Sequence, residues 1–343
     1  MNKYLSILFI LLFLSPAIAQ KKKKIDTPPK VEQVEVYEGD QNNSNNENSY
    51  PYPIVKAAGS LFEVRVTTIK GKEIKVSDLA AFEKLDFSEF KTLHLYRRNS
   101  DDFLEFALLE KIVDDATALE TLIIENFKID VFPEVKKVNT KLKKLWLDYN
   151  DLKTLPSSIS NLVALEDFSC TNPLQEIPDS LSQLTNLTKL TFNNSDLSVF
   201  PEAIFELPKL SILYISGVYN GKNKIKVIPD LFAKLPELKK FGVTRASLSE
   251  LPKSISQLKK LNEVDFSRNQ FTEFPAALAE NKNLVYVAFS NNPLNYNEFK
   301  TSIHKIKWRG LFFLNETGFS KKQYEEFQQI LPKIDVYYDQ MND

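Results

Sequence analysis

From Leu142 onward the apolar residues fall at fixed intervals: Leu142, Leu145, Leu147, Leu152, Leu155, Ile159 and Leu162, with Asn150 and Pro156 at set places between them. The frame restarts at Leu165, Leu187, Leu238 and Leu261, and modified copies begin at Phe90, Leu119, Leu210 and Leu284. Successive starts therefore lie 29, 23, 23, 22, 23, 28, 23 and 23 residues apart. A unit this short cannot bury its apolar face alone but can do so against its neighbours, which predicts a stacked solenoid. Leu145 and Leu147 are two apart, so they face one side of a short strand, the core side. Ile159 and Leu162 are three apart, as a turn of α- or 3₁₀-helix on the opposite side requires. Pro156 and its equivalents Pro133, Pro178, Pro201, Pro229, Pro252 and Pro275 stand where that turn begins, a place where a missing N–H costs nothing. Asn150, Asn269 and Asn292, with Asn172 one residue early in a shortened unit, are placed to bond the backbone of the tight turn after the strand; Ser195, Val218 and Ala246 depart from that pattern.

The frame Leu-x-x-Leu-x-Leu-x-x-Asn with its Leu-Pro-x-x-Ile turn resembles the leucine-rich-repeat family in its variant of about 23 residues, over Phe90 to Leu294. That variant is shared by many exported bacterial repeat proteins and by the Ras-associated scaffold group of eukaryotes. The resemblance implies an α/β solenoid, a curved horseshoe with a concave parallel β-sheet, short helical or 3₁₀ segments on the convex side, and a cap at each end. It implies little about the ligand.

Two units are swollen. In the first, residues 101–115 carry Phe103, Leu104, Ala107, Leu108 and Ile112 at helical spacing, which predicts an amphipathic helix. In the other, residues 219–224 form a polar, turn-rich insertion, read as a tolerated surface loop or as part of a binding face. Residues 54–89 are expected to form the N-terminal cap, residues 90–307 the repeats, and residues 308–343 a terminal repeat and C-terminal cap. In that last segment Trp308, Leu311 and Phe313 are expected to hold the core frame. Ser320 to Gln323 reads as a capping box opening a helix, and Ile334 and Val336 as a last strand.

The front of the chain has a different pattern. Lys3 precedes an apolar run from Leu5 to Leu14 interrupted only by Ser6, and Ala17-Ile18-Ala19 offers a small-x-small cleavage site, so residues 1–19 read as a secretory signal peptide. An uncleaved anchor is the other reading, although the run is short of the roughly 20 residues that span a bilayer. No Cys follows the site, so lipid attachment of the bacterial lipoprotein kind is not expected. Residues 20–53, polar and Pro-containing with Lys21 to Lys24 and an Asn-rich tract, predict a disordered tether. The expected location is secreted or periplasmic, with no stable membrane insertion after cleavage.

Charge and composition narrow the function. Lys and Arg number 44 against 45 acids, so non-specific nucleic-acid binding has no electrostatic footprint. The chain holds one Cys and two His. Cys170 takes an inward strand position and should be an inert small hydrophobe, which also sets the chain apart from repeat-bearing ubiquitin ligases. His94 and Asp148 lie two repeats apart, roughly 10 Å between backbones, too far for an orienting pair. His94 with Glu125 falls short of a metal ligand set. With Gly so scarce no phosphate loop is expected. The sequence therefore predicts no enzyme, no cofactor and no metal.

What remains is the outward column of the strands. Its central row reads His94, Ile123, Trp146, Ser169, Thr191, Tyr214, Gly242, Asp265 and Ala288. The row beside it reads Tyr96, Glu125, Asp148, Thr171, Asn193, Ser216, Thr244, Ser267 and Ser290. The N-terminal half thus gathers His94, Tyr96, Arg97, Ile123, Trp146, Asp148 and Tyr149, with Tyr214 three strands beyond Trp146, while the C-terminal half reads as small and polar. Tyr, Trp and Arg dominate interface hot spots. These eight residues are expected to bind a protein or peptide ligand, or, in a rival reading, a glycan stacked on the aromatics. Trp146 packing under the N-terminal cap or tether is the alternative to a binding role.

Overall fold

The computed structural model describes residues 62–76, 79–97, 104–219 and 224–338. The apolar start, the cleavage-site sequence and the segment 20–53 lie outside the described residues, as do 220–223 of the insertion.

Thirteen strands form one sheet: β1 (Phe62–Thr68), β2 (Glu73–Val76), β3 (Phe90–Arg97), β4 (Thr121–Glu125), β5 (Lys144–Trp146), β6 (Asp167–Thr171), β7 (Lys189–Ser195), β8 (Ile212–Gly217), β9 (Lys240–Thr244), β10 (Glu263–Asp265), β11 (Tyr286–Ala288), β12 (Gly310–Phe313) and β13 (Ile334–Tyr337). From β3 to β13 spatial order follows chain order and every pairing is parallel. β1 and β2 form a hairpin that adds two antiparallel strands to the free edge of β3. The register aligns one core residue per coil, Leu122, Leu145, Phe168, Leu190, Leu213, Phe241, Val264, Val287 and Phe312, and all are buried. The fold is the expected solenoid.

Each coil is closed by short helical segments behind the sheet. Pro156, Pro178, Pro201, Pro252 and Pro275 directly precede Ser157–Asn161, Asp179–Gln183, Glu202–Glu206, Lys253–Gln257 and the short helix Ala276–Ala279. The proline rule weakens at two positions. After Pro229 the 3₁₀ segment Phe232–Lys234 starts late, from Leu231, and after Pro133 the chain stays irregular. The helix expected over 101–115 is observed as Phe106–Asp115, burying Leu108, Leu109 and Ile112; residues 101–103 lie outside the described residues.

The asparagine ladder is present. Asn269 accepts from the Leu248 N–H and donates to the Val243 and Phe266 carbonyls, and Asn292 repeats this one coil on with Phe271, Phe266 and Phe289. Asn150 and Asn172 do the same in earlier coils. Immediately before the ladder position the backbone turns left-handed at Tyr149, Asn194, Arg245, Arg268 and Asn291, with φ from 49° to 60°. Non-glycine residues hold this unfavourable region because the surrounding hydrogen bonds over-determine the turn.

The core is unusually aromatic. Phe205, Phe232, Phe241, Phe266 and Phe289 pack edge to face or tilted at 5.0–5.6 Å between ring centres, and Phe312, Phe299 and Phe327 carry the chain of rings into the C-terminal helix Lys321–Ile330. That helix opens on the expected capping box of Ser320 and Gln323. The last repeat corrects the sequence frame. Phe312 aligns with Val287 and is buried with Leu314, so Leu311 and Phe313 face outward rather than into the core. The unit between Val287 and Phe312 is longer than 23 residues because Tyr296–Ile303 is a true helix, and the extra length shifts the strand by one position against the expected frame.

Candidate functional site

Strand alternation sends every second side chain to the sheet face opposite the core, the face that lines the concave side in repeat folds of this kind. The observed register runs one outward row across the whole sheet: Lys75, Arg65, His94, Ile123, Trp146, Ser169, Thr191, Tyr214, Gly242, Asp265, Ala288, Phe313 and Tyr337. The central column read from the sequence is therefore real, and the hairpin and last two strands extend it at both ends.

Trp146 sits in a cage of charge. Its indole N–H donates to Asp167 Oδ1 at 3.2 Å, and Lys144 and Lys189 place their ammonium groups 4.6 and 5.2 Å from the ring centre. Both lysines also approach Asp167, at 4.0 and 3.6 Å. Cations over the indole face and a carboxylate at its edge match the ring's quadrupole. The ring is half-buried and held by neighbours on its own sheet face.

The remaining expected site residues are placed as follows. His94 Nε2 lies 3.0 Å from Glu125 Oε2, and Tyr96 pairs in register with Glu125 and stays exposed. Ile123 stands half-exposed between His94 and Trp146. Asp148 is occupied by the sheet: it accepts from the Ser169 hydroxyl at 3.0 Å and the Thr171 N–H at 2.8 Å. Burial nevertheless raises its pKa above the ordinary carboxylate value. Tyr149 is 53 % exposed, but it projects from the left-handed turn rather than from the strand alternation. Arg97 is a correction. At 3 % exposure it takes the inward alternation with Leu93 and Leu95, and it presents nothing to a ligand on the sheet face.

Tyr214 lies flat along the sheet. Its ring crosses Gly242, where an added Cβ would come within 2.6 Å of the ring, and its hydroxyl donates to Glu263 Oε1 at 2.6 Å. Burial, followed by the charge of Glu263, holds the phenol well above its usual pKa, so it stays a neutral donor.

The C-terminal half is not small and polar. Tyr286 and Phe313 approach to 4.9 Å between ring centres, Phe313 stacks on Tyr337 at 5.0 Å and 16°, and Tyr337 is 46 % exposed. Asp265, beside Tyr286, has its pKa raised by burial. A third row also escaped the sequence reading: Lys144, Asp167, Lys189, Ile212, Lys240, Glu263, Tyr286 and Leu311. Its signal was available in the residue just before each unit's first inward strand position.

Nucleophilic chemistry finds no footing at Cys170, which is fully buried; burial pushes its thiol up, and Asn172 Nδ2 lies 3.1 Å from its sulfur. Among the described residues no three His, Cys, Asp or Glu side chains group as a metal site, and no helix is long and apolar enough to cross a membrane.

No family model matches the chain. It is 32 % identical over 101 residues, 28 % of its length, to the protein flightless-1 homolog of Caenorhabditis elegans, of which the match covers 8 %. The chain spans between 8 % and 15 % of the length of the curated relatives it matches. Among solved structures it resembles the functional domain of InlJ from Listeria monocytogenes, with a TM-score of 0.51 and 20 % identity, covering 71 % of this chain and 46 % of that one. It also resembles the leucine-rich-repeat ectodomain of the receptor kinase GASSHO1/SCHENGEN3 from Arabidopsis thaliana, with a TM-score of 0.52 and 18 % identity, covering 73 % of this chain and 30 % of that one. The parallel sheet, the 23-residue register and these likenesses agree: in fold, the chain is a leucine-rich-repeat solenoid.

Proposed function

We propose that the protein is a non-catalytic binding module of the cell envelope or exterior that holds a protein or peptide ligand on the outward face of its sheet. The observation that carries this reading is the caged, outward Trp146 on a row that also bears His94, Ile123 and Tyr214. Trp and Tyr side chains anchor interfaces, and a ring already fixed by its neighbours loses little freedom on binding. Tyr96, Asp148 and Tyr149 flank it; Arg97 is left out because it is buried. Export rests on the signal-like start of the sequence. The structural relative GASSHO1 was solved in complex with Casparian strip integrity factor 2, so the same fold carries a bound partner there.

The test is a paired capture. The chain and its Trp146→Ala and Tyr149→Ala variants are immobilised and exposed to envelope extract and culture medium, with circular dichroism to check folding. A species retained by the first and lost from folded variants supports the reading. Equal retention by all three removes the region around Trp146 from consideration.

A second reading, a surface protein gripping glycan, is favoured by the continuous run Tyr286, Phe313 and Tyr337, whose rings are at the surface of the last strands. Capture blocked by soluble sugar and insensitive to protease treatment of the extract selects glycan; the opposite pattern selects protein.

A further inference from the structure

Two arginines stand side by side at the end of the sheet where β9 and β10 run into their turns. Arg245 and Arg268 occupy the same left-handed turn position in consecutive coils, with φ of 49° and 60°. Their backbones are tied in sequence, Arg245 N–H to the Ser267 carbonyl and Arg268 N–H to the Ser290 carbonyl. Adjacent coils are about 4.8 Å apart, so the two guanidinium groups share one neighbourhood.

Neither has a full counter-charge. Arg245 donates through Nη1 to the Ser216 hydroxyl at 3.3 Å and lies under the Tyr219 ring at 5.2 Å, while its Nε is buried without an acceptor. No carboxylate of a described residue comes within ion-pair distance of it. The charge of Asp265 acts on it, and Asp265 Oδ1 accepts from the Ser267 N–H. Among the described residues Arg268 has one carboxylate in ion-pair range, Glu316 at 4.0 Å, and Glu316 also accepts from Asn291. The sequence from 224 to 228 adds Lys224 and Lys226 and no acid. Of these, Lys224 pairs with Asp196 at 2.7 Å, and both line, with Ser195, Gly217, Thr244 and Arg245, a shallow recess beside the arginine pair. Burial and the like charge of Arg268 hold the Arg245 guanidinium below its usual pKa.

A half-buried guanidinium whose Nε lacks an acceptor, beside a second, exposed one, is unfavourable in isolation and favourable around an anion. Five fixed N–H donors suit the two oxygens of a carboxylate. We propose that Arg245 and Arg268 form an anion site that takes a carboxylate of an acidic peptide lying along the sheet face. Tyr219, 75 % exposed against the Arg245 guanidinium, flanks the entry. The proposal rests on the peptide-binding reading above and gives that ligand a charge.

The test is calorimetric titration of the chain with octaglutamate, in free and C-terminally amidated forms, with octalysine and inorganic sulfate as comparisons. Octaglutamate binding one to one, weakened about tenfold or more by Arg268→Gln and by Arg245→Lys with unchanged melting temperature, is the expected result. Loss on amidation assigns the terminal carboxylate, and retention assigns side-chain carboxylates. No octaglutamate binding, wild-type affinity in the Arg268→Gln variant, or sulfate binding as tightly as the peptide overturns the proposal. A Trp146→Ala variant titrated in parallel separates the two readings: if it binds octaglutamate normally yet captures its partner normally too, the Trp146 reading fails while the arginine site stands.

Discussion

The hydroxyl of Tyr214 reaches across one whole strand to donate to Glu263 at 2.6 Å, and the residue it crosses is Gly242. Lys240 holds the other carboxylate oxygen of Glu263 at 2.7 Å, so the tyrosine ring is fixed at both ends. Glycine in the middle of a strand ordinarily weakens it. Here the missing side chain is the space the ring fills.

Gly242→Ala therefore reverses the usual sign of a strand Gly→Ala change. The new Cβ would sit 2.6 Å from a ring that cannot swing away without breaking its bond to Glu263, and the expected cost is about 1–3 kcal/mol. In a Tyr214→Ala background the same change should cost clearly less, the close contact that remains being the Asp265 carbonyl oxygen at 3.1 Å. Urea unfolding of the four proteins of this cycle measures the coupling, and additive effects would show that ring and glycine are independent. Gly217→Ala serves as the contrast. Its Cβ would meet the Arg245 carbonyl oxygen at 2.1 Å, a backbone atom that no side-chain truncation removes, so it should stay destabilising in the Tyr214→Ala background.

Asn269→Ala should cost about 2–4 kcal/mol, because it strands the Leu248 N–H and takes a donor from the Val243 carbonyl inside the coil, while the Phe266 carbonyl keeps its bond from Asn292. At the equivalent position three coils earlier, Ser195 bonds the Ser216 carbonyl through its hydroxyl, and Ser195→Ala should cost about 0.5–1.5 kcal/mol. Denaturation midpoints of the two variants test the ranking, and equal costs would contradict a ladder role for asparagine.

Trp308 is buried against Phe274 and Phe312 with an indole N–H that has no acceptor. Removing the unpaired donor offsets part of the lost volume, so Trp308→Phe should cost less than about 1.5 kcal/mol, against about 3–5 kcal/mol for Trp308→Ala. A Phe variant as unstable as the Ala variant, read by thermal unfolding, would mean that the N–H is satisfied in solution.

Burial raises the pKa of Asp265 in the folded chain above the value of about 3.9 that a free Asp has. For an acid shifted this way the protonated form folds better. Its stabilising contribution is complete below the unfolded pKa and is lost as pH rises through the folded one. Asp265→Asn should thus match the wild type near pH 3.5 and be more stable than it at pH 7.5, keeping the acceptor for the Ser267 N–H throughout. Urea midpoints at the two pH values check this, and a variant destabilised at pH 7.5 would show that the carboxylate is favourably paired there.

Much of this architecture was legible in the chain itself. The 23-residue period set which residues face inward from Leu145 to Val287, because stacked parallel coils repeat one register and each core position recurs at the same offset. The capping box at Ser320 and the inert burial of Cys170 followed from local chemistry and from that same register. Other features depended on the folded chain. In the last repeat a helix lengthened the unit, and a one-residue change of frame exchanges the two faces of a strand, so Phe313 turned outward to join Tyr337. Arg97 went inward because the strand alternation runs on to its last residue. The cage around Trp146, the Tyr214–Glu263 bond and the Arg245–Arg268 pair bring together residues about 20 to 50 positions apart, and periodicity aligns such residues in rows without saying which side chains in a row will touch. Period alone therefore determines the coil and its core, while contacts across the outward face depend on side-chain length and charge in three dimensions, which only the tertiary structure decides.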